Sequence, residues 1–226
     1  YRNILEISKA RLKVLQAQIN PHFLYNMLQY ISTMALKKGA ADVSEKISEL
    51  GSIFRYNMEN EQEVVALHEE IRHIEEYMAL QTGRFDNRIH FSISCPDEAL
   101  DITIPRMILQ PLVENCIKHG IEKGEGRGSI YIAISLSDIL CIRVIDNGKG
   151  IDPETIESIR TRYADYTFSQ ESGRGIGVIN VLERLKIYAG DSFTWSITST
   201  PHVATDITLE IPIRSREDSE DEGADR

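Results

Sequence analysis

The sequence predicts an α+β protein in which a helical hairpin is followed by an α/β sandwich. Two observations support this prediction. Apolar residues recur every three or four positions over the first third of the chain, which is typical of amphipathic helices. After residue 88 the pattern changes to short alternating segments interspersed with helical stretches, an order that favours helices on one face of a mixed sheet.

The N-terminal third is predicted to be helical throughout. Helical spacing runs over residues 4–38, where Pro21 should kink the helix just before His22 because its ring displaces a backbone hydrogen bond. Further apolar stripes over residues 42–58 and 67–82 predict two more helical stretches. Two long helices cannot bury a two-sided core alone, so we expect a second copy to complete a dimeric four-helix bundle.

The remainder of the chain is predicted to be a second domain. Residues 83–88 are interpreted as a linker, which divides the chain into a helical part, 1–83, and a mixed part, 84–213. The charged tail, 214–226, is predicted to be disordered. Within the second domain the predicted strands cover residues 90–94, 130–136 and 140–145, the predicted helices 105–120 and 175–189, and a closing hairpin 193–198 and 204–213.

The amino-acid composition limits the classes of partner that the chain can bind. The chain has 226 residues and a formal net charge of −10, which argues against nucleic-acid binding because that needs clustered Lys and Arg. Its 3 cysteines are widely spaced, so no disulfide framework or zinc site is indicated. No apolar run is long enough to cross a bilayer. Because helical spacing is already present at Tyr1, we interpret the chain as the cytoplasmic part of a longer protein, with processing as the alternative.

The sequence Asn-Pro-His-Phe-Leu-Tyr-Asn at residues 20–26 places a histidine near the start of an amphipathic helix. At about 100° per residue, His22 falls on the polar side together with Asn26, opposite the apolar arc. The ring is thus available for chemistry, although a single surface histidine is more often only solvated. His68 and His73 are five residues apart, off the spacing for one metal ion, and are interpreted as solvated.

A glycine-containing turn follows a predicted strand at Asp146, Asn147, Gly148 and Gly150. The aspartate could accept a hydrogen bond from an exocyclic amine while the glycines let the backbone approach a flat ligand. The competing interpretation is a hairpin turn, because Asn-Gly after an apolar run is a strong hairpin signal. The residues alone leave these two interpretations about equal.

A second glycine-rich run, Gly-Arg-Gly-Ile-Gly at residues 173–177, leads into a predicted helix. Backbone N–H groups at a helix start can hold phosphate oxygens, with Arg174 adding charge. Gly124, Gly126 and Gly128 have the same spacing but lead into a strand, so they are assigned to a loop.

The predicted helix over residues 105–120 carries four polar side chains that could serve a site: Glu114, Asn115, Lys118 and His119. Glu114 and Lys118 stand four apart, a spacing often found in simple surface ion pairs. A Glu and an Asn beside a phosphate could also bind Mg²⁺, which prefers oxygen ligands.

Together these motifs resemble those of sensor histidine kinases of the LytS and YesM group, in the family's order over nearly the whole chain. Residues 15–26 resemble the phosphoacceptor motif, and residues 111–120 resemble the N box. Residues 146–150 and 173–177 resemble the two glycine boxes. The resemblance implies an α/β-sandwich ATP-binding domain of the gyrase, chaperone and histidine-kinase type behind a dimeric phosphoacceptor hairpin.

The resemblance also implies roles for individual residues and for partners. His22 would be the phosphoacceptor, Asn115 a Mg²⁺ ligand and Asp146 the adenine anchor. The other nucleotide-binding candidates are Lys118, His119, Asn147, Gly148, Gly150, Arg174, Gly175, Ile176 and Gly177. Residues 151–172 would form a lid over ATP. The implied partners are a second copy and a response regulator whose aspartate receives the phosphoryl group, with the membrane reached only through segments absent from this chain.

Phe23 follows His22, where many histidine kinases carry an acidic base, so the general base is left open, with Glu114 as one candidate. Asn26 is a candidate for phosphatase activity from its spacing to His22. The alternatives are an ATPase that never phosphorylates itself, a serine kinase of the anti-sigma type, and a degenerate scaffold that only binds nucleotide. The long helical hairpin argues against the anti-sigma type.

Overall fold

The computed structural model describes residues 21–58, 63–124, 126–164 and 176–213. The predicted helix before Pro21, its kink and the disordered tail lie outside these residues. Two compact units are present: the first holds the described part of residues 1–62 together with 75–80, and the second holds 63–74 and the described part of 81–226.

The first unit contains a hairpin of helices α1 (Pro21–Lys37) and α2 (Ala41–Met58). Gly39, at φ 77°, makes the turn between them. The hydroxyl of Ser32 lies 2.7 Å from that of Ser44, and Gly51 faces the ring of Tyr25. The two helices therefore run antiparallel, as the sequence predicts.

After the hairpin, the described part of the chain resumes at residue 63. A short strand, β1 (Val64–Ala66), precedes helix α3 (Leu67–Arg84). The predicted linker at 83–88 is a tight turn, in which Phe85 is buried and its carbonyl accepts a hydrogen bond from the backbone N–H of Arg88. Gly128 in turn donates its N–H to the carbonyl of Arg88. This segment is thus anchored to the neighbouring strand.

The second unit is built on a mixed sheet of five strands in the order β2-β4-β5-β7-β6. Strands β2 and β4 are parallel and the other neighbours are antiparallel. The strands are β2 (Ile89–Ser94), β4 (Gly128–Leu136), β5 (Ile139–Asp146), β6 (Thr194–Thr200) and β7 (Ala204–Pro212). All five predicted strands are therefore present.

One face of the sheet is buried under helices. Alternate residues of β4, β5 and β7, such as Ile132, Ile142 and Leu209, are fully or almost fully buried. Helices α4 (Leu109–Asn115), α5 (Pro153–Ala164) and α6 (Ile176–Ala189) complete this α/β sandwich. Helix α4 packs on α6.

The predicted helix over residues 105–120 is wrong at its start. Strand β3 (Thr103–Pro105) pairs with β1, and Met107 adopts φ 62°, which stops any continuous helix. Beyond Asn115 the chain continues as a π-helical turn, Cys116–Ile121. Wide turns of this kind are frequently found at functional sites.

Candidate nucleotide site

A cavity of about 310 Å³ opens in the second unit beside the end of strand β5. Its lining combines apolar side chains, such as Ile159, Val178 and Ile207, with polar and charged ones. A mainly apolar pocket with a small number of directed polar groups is the usual form of a small-molecule site. Four of the residues predicted from sequence line it: Asn115, His119, Asp146 and Gly150.

Asp146 is the last residue of β5 and is 4% exposed. Strand pairing sets it opposite Thr205, which also lines the cavity. Its Oδ1 accepts the N–H of Gly148 at 2.9 Å, and the thiol of Cys116 donates to the same carboxylate. Burial raises the pKa of Asp146 and outweighs these two hydrogen bonds, which lower it. A buried acceptor at the end of a strand thus faces an apolar pocket.

Cys116 lies directly behind this carboxylate. Burial raises the pKa of its thiol well above the ordinary value, and the neighbouring charge of Asp146 raises it further. The thiol therefore stays protonated and acts as a donor to Asp146.

The glycine turn lies against the π-helical turn without space for side chains. A Cβ on Gly148 would lie 2.4 Å from the Cα of Gly120, and Lys149 donates its N–H to the carbonyl of Gly120 at 2.9 Å. A Cβ on Gly120 would lie 2.6 Å from Oδ1 of Asp146. The position of the aspartate thus depends on the glycine at 120.

We predict that Gly120→Ala weakens nucleotide binding about tenfold or more, because the added methyl group displaces the Asp146 carboxylate. Titration of a fluorescent ATP analogue measures the change. Gly83→Ala is the matched control: Gly83 is also helical, a Cβ there meets nothing within 4 Å, and we expect unchanged affinity with equal or higher stability. Equal affinities of the two variants would contradict the dependence on Gly120.

Asn115 enters the cavity from the end of α4. Its Nδ2 is buried and has no hydrogen-bond partner among the described residues. It would lie 3.0 Å from a Cβ on Gly177, so the start of α6 lies beside it. A buried amide without a partner is costly and points to a group that the bound ligand supplies.

Two other predicted residues, Asn147 and Gly148, do not line this cavity but a neighbouring one. Asn147 accepts the N–H of Ser129 through Oδ1 at 2.6 Å, and so ties the end of β5 to the start of β4. Asn147 and Gly148 line an adjacent cavity of about 430 Å³, together with Arg88 and Arg127.

Glu114 and Lys118 do not belong to the lining of the nucleotide cavity. Nζ of Lys118 donates to Oε2 of Glu114 at 3.2 Å, the ion pair that their spacing indicates. His119 does line the cavity, and its Nδ1 accepts from Nζ of Lys123 at 3.0 Å. The proton of a neutral His119 ring is therefore on Nε2.

The remaining candidates are only partly described. His22 lies in the first turn of α1, and Asn26 is exposed one turn later. Ile176 begins α6, while Arg174 and Gly175 lie outside the described residues. Of the predicted lid, residues 153–164 form helix α5 and residues 165–172 are likewise outside.

Several cavity residues were not predicted from the sequence. Gly120 is the last residue of the stretch that resembles the N box. A glycine at a helix end was the sequence feature that could have identified it. Thr205 and His202 come from the last hairpin: the register of β7 against β5 brings Thr205 opposite Asp146, and His202, in the turn before β7, lines the same cavity. Cys116 lies among apolar residues of a predicted helix, and nothing in the sequence pattern distinguishes it from an ordinary core residue.

Comparison with known proteins agrees with this geometry. Residues 100–215 match the model of the histidine kinase-, DNA gyrase B- and HSP90-like ATPases, and residues 10–89 match the histidine kinase model. The catalytic domain of the histidine kinase ThkA is similar in fold, with a TM-score of 0.50, 17% identity and coverage of 67% of this chain and 99% of that chain.

Curated relatives extend the likeness to the helical part. The chain is 35% identical to the sensor histidine kinase YesM of Bacillus subtilis over 93% of its own length and 35% of that protein. It is 33% identical to the sensor protein LytS of Oceanobacillus iheyensis over 86% of its own length and 33% of that protein. The chain thus spans about a third of the curated relatives it matches. It belongs to the histidine kinase-, DNA gyrase B- and HSP90-like ATPase family and, within it, to the sensor histidine kinases of the LytS and YesM group.

Proposed function

We propose that this chain is the catalytic core of a two-component sensor, which transfers the γ-phosphoryl group of ATP to His22 and then to an aspartate of a response regulator. The observation that carries the proposal is the buried Asp146 carboxylate in a cavity that is also lined by Asn115, whose Nδ2 has no hydrogen-bond partner among the described residues. An exocyclic amine satisfies the first group and phosphate oxygens satisfy the second.

The proposed orientation of ATP follows from these two groups. The adenine amine donates to Asp146, and the phosphates extend past Asn115 towards the start of α6, where helix N–H groups favour negative charge. Gly175, Gly177 and Arg174 are the proposed phosphate contacts, with Lys118 and His119 at the same end.

Magnesium is the proposed metal, and Asn115 its protein ligand. The described residues contain no cluster of three His, Cys, Asp or Glu side chains that could hold a metal ion on their own. An amide oxygen together with ATP phosphates suits Mg²⁺, which commonly takes few protein ligands. When bound, the ion would neutralise charge on the phosphates during transfer.

The proposed reaction is an in-line displacement. One nitrogen of the neutral His22 ring attacks the γ-phosphorus, the bond from phosphorus to the β,γ-bridging oxygen breaks, and its electron pair leaves with ADP. The proton on the other ring nitrogen passes to the carboxylate of Glu114. Glu114 suits this role because it lies on α4 next to Asn115 but outside the nucleotide cavity. Asn26 is proposed to position water in the reverse reaction.

The organisation of the chain is proposed to follow this chemistry. Residues 1–83 would form the phosphoacceptor domain, 84–213 the ATP-binding domain and 214–226 a charged tail, with relative movement of the two domains bringing His22 to the nucleotide. Helices among the described residues are too short or too polar to cross a membrane. We propose that the chain is the cytoplasmic portion of a membrane sensor.

The helical hairpin supports a homodimer. Several large apolar side chains on α1 and α2 are exposed in the single chain: Met27, Tyr30, Ile31, Met34, Leu36, Val43 and Leu50. Exposed apolar surface of this extent is typical of a face that pairs with a partner. A second copy of the same hairpin would cover it as a four-helix bundle.

Labelling with [γ-³²P]ATP tests the proposed function. We expect wild type and His90→Gln to take up label that is lost in acid and retained in alkali, as a phosphoramidate behaves, and His22→Gln to take up none. His90 is the matched control because it is an exposed histidine on strand β2. Acid-stable label would favour a serine kinase, and ATP hydrolysis unaffected by His22→Gln without any labelling would favour an ATPase. Nucleotide binding without either reaction would favour a degenerate scaffold.

A further inference from the structure

A buried histidine, His73, has no part in the proposed reaction, but a single side chain connects it to the proposed base Glu114. His73 on α3 is 3% exposed, although its sequence pattern indicated a solvated residue, and that interpretation is wrong. Its Nε2 lies 2.6 Å from Oε1 of Gln110, which is 4% exposed. Burying two polar side chains is costly unless each has its partner, so this pair requires an explanation.

Gln110 connects His73 to Glu114. Its Nε2 donates to Oε1 of Glu114 at 2.9 Å, one helical turn further along α4. Lys118 donates to the other oxygen of Glu114. Both oxygens of this carboxylate are therefore held by a hydrogen bond, while their remaining lone pairs are available.

The direction of every hydrogen bond in this relay follows from the carboxylate. A carboxylate only accepts, so Gln110 must direct its NH₂ group to Glu114 and its oxygen to His73. That oxygen in turn requires a donor, which means that Nε2 of His73 carries a proton. A proton on Nε2 of His73 is thus the tautomer that matches the amide orientation in which Gln110 donates to Glu114.

We propose that His73 is a positioning residue, which acts through Gln110 to hold Glu114 in the orientation that accepts the proton of His22. This inference rests on the proposed autophosphorylation. The relay costs two buried polar side chains, whereas an apolar pair of similar volume would pack equally well at no such cost. The polar pair can orient the half-buried Glu114 carboxylate, whereas an apolar pair cannot.

Four variants of the whole chain test the relay. Gln110→Met keeps the volume and removes both hydrogen bonds. Adding His73→Leu also removes the Nε2 donor of the relay. His73→Gln places an amide N–H in the position of the Nε2–H group and should preserve the relay. His68→Gln is the matched control, because His68 is an exposed histidine on the same helix.

We expect Gln110→Met to lower the single-turnover rate of His22 phosphorylation about tenfold, with the KM for ATP changed less than about twofold. Its thermal unfolding midpoint should fall, and the double variant should regain stability but not rate, because removing both partners of a buried pair is nearly neutral. His73→Gln should keep the rate within about threefold. A double variant whose rate recovers with its stability, or a Gln110→Met protein with the wild-type rate, would overturn the proposal.

The tautomer is measured separately from activity. In ¹⁵N-histidine NMR spectra, His73 should carry its proton on Nε2, with a hydrogen-bonded proton signal that disappears in Gln110→Met. A His73 ring protonated only on Nδ1 would refute the relay even in an active kinase. Conversely, absence of label from wild type would refute the proposed function, and this spectrum would still decide whether the relay exists.

Discussion

Asp146→Asn is expected to bind ATP about 30-fold to 100-fold more weakly than wild type without loss of fold stability. The amide of the variant would present NH₂ to the adenine amine in place of an acceptor, or lose its bond to Gly148 by turning over. Loss of a hydrogen bond to a buried charged group costs about 1.5–3 kcal/mol, and two donors that face each other cost more. Isothermal titration calorimetry with ATP measures the affinity.

The stability of this variant provides a second readout. Burial raises the pKa of Asp146, so the folded protein binds its proton more tightly than the unfolded chain and ionisation opposes folding above the ordinary pKa. Stability attributable to this group therefore falls as pH rises through the shifted pKa. Asn removes the charge, so the unfolding midpoint at neutral pH should be equal to or above that of wild type.

Asp206→Asn is the matched control for the aspartate. Asp206 lies on β7 and pairs with Arg143 near the surface, away from the cavity lining. An exposed ion pair contributes little, so we expect wild-type affinity and a small change in stability. If Asp146→Asn bound ATP as tightly as Asp206→Asn, the assignment of Asp146 as adenine anchor would be wrong.

Glu70→Ala is expected to destabilise the second unit by on the order of 3–4 kcal/mol. The carboxylate of Glu70 is 1% exposed and accepts three backbone N–H groups, those of Met107, Ile108 and Leu109, at 2.7, 2.9 and 3.1 Å. These donors lie at the start of α4 and have no intrahelical acceptor. Alanine would leave all three without this partner, those of Ile108 and Leu109 in a buried position and that of Met107 in a part-buried one.

The effect should extend to the site, because α4 carries Gln110, Glu114 and Asn115. Urea unfolding measures the loss, and Glu69→Ala is the matched control. Glu69 is the neighbouring residue of the same helix and accepts a single backbone N–H, that of Ala66, at 3.3 Å, so about 1 kcal/mol or less is expected. Equal losses in the two variants would show that the three donors of α4 do not depend on Glu70.

The elements predicted best from sequence are those whose pattern is local. Alternation of apolar and polar residues located β4, β5 and β7, since one face of the sheet is buried and the other is less buried. Helix α6 was predicted at 175–189 and begins at Ile176. In both cases the period of the side chains follows directly from the geometry of the element.

The errors arise where a distant residue decides the local structure. The stretch before α4 has helical spacing, but Met107 is held in a left-handed conformation by a carboxylate from another helix, Glu70. His73 looked solvated because its partner, Gln110, is 37 residues away. The two members of each pair are too far apart in the sequence for a local pattern to include both.

The candidate site shows the same difference between residues found from a local pattern and residues placed by distant contacts. Asp146, Gly150 and Asn115 were found from motifs, because their chemistry requires particular residue types at fixed spacing. Thr205 and Cys116 were not, because strand register and a thiol in contact with Asp146 bring them to the cavity. Motifs thus identify the residues that contact a ligand more readily than the residues that hold them in position.

ATP bound beside Asp146 is proposed to supply the phosphoryl group of His22. This transfer is tested by measuring ATP affinity and acid-labile phosphate per subunit on the same preparation of His22→Gln. We expect the variant to bind ATP with wild-type affinity and to carry no acid-labile phosphate. Acid-labile phosphate at the wild-type level in His22→Gln would show that His22 is not the phosphoacceptor.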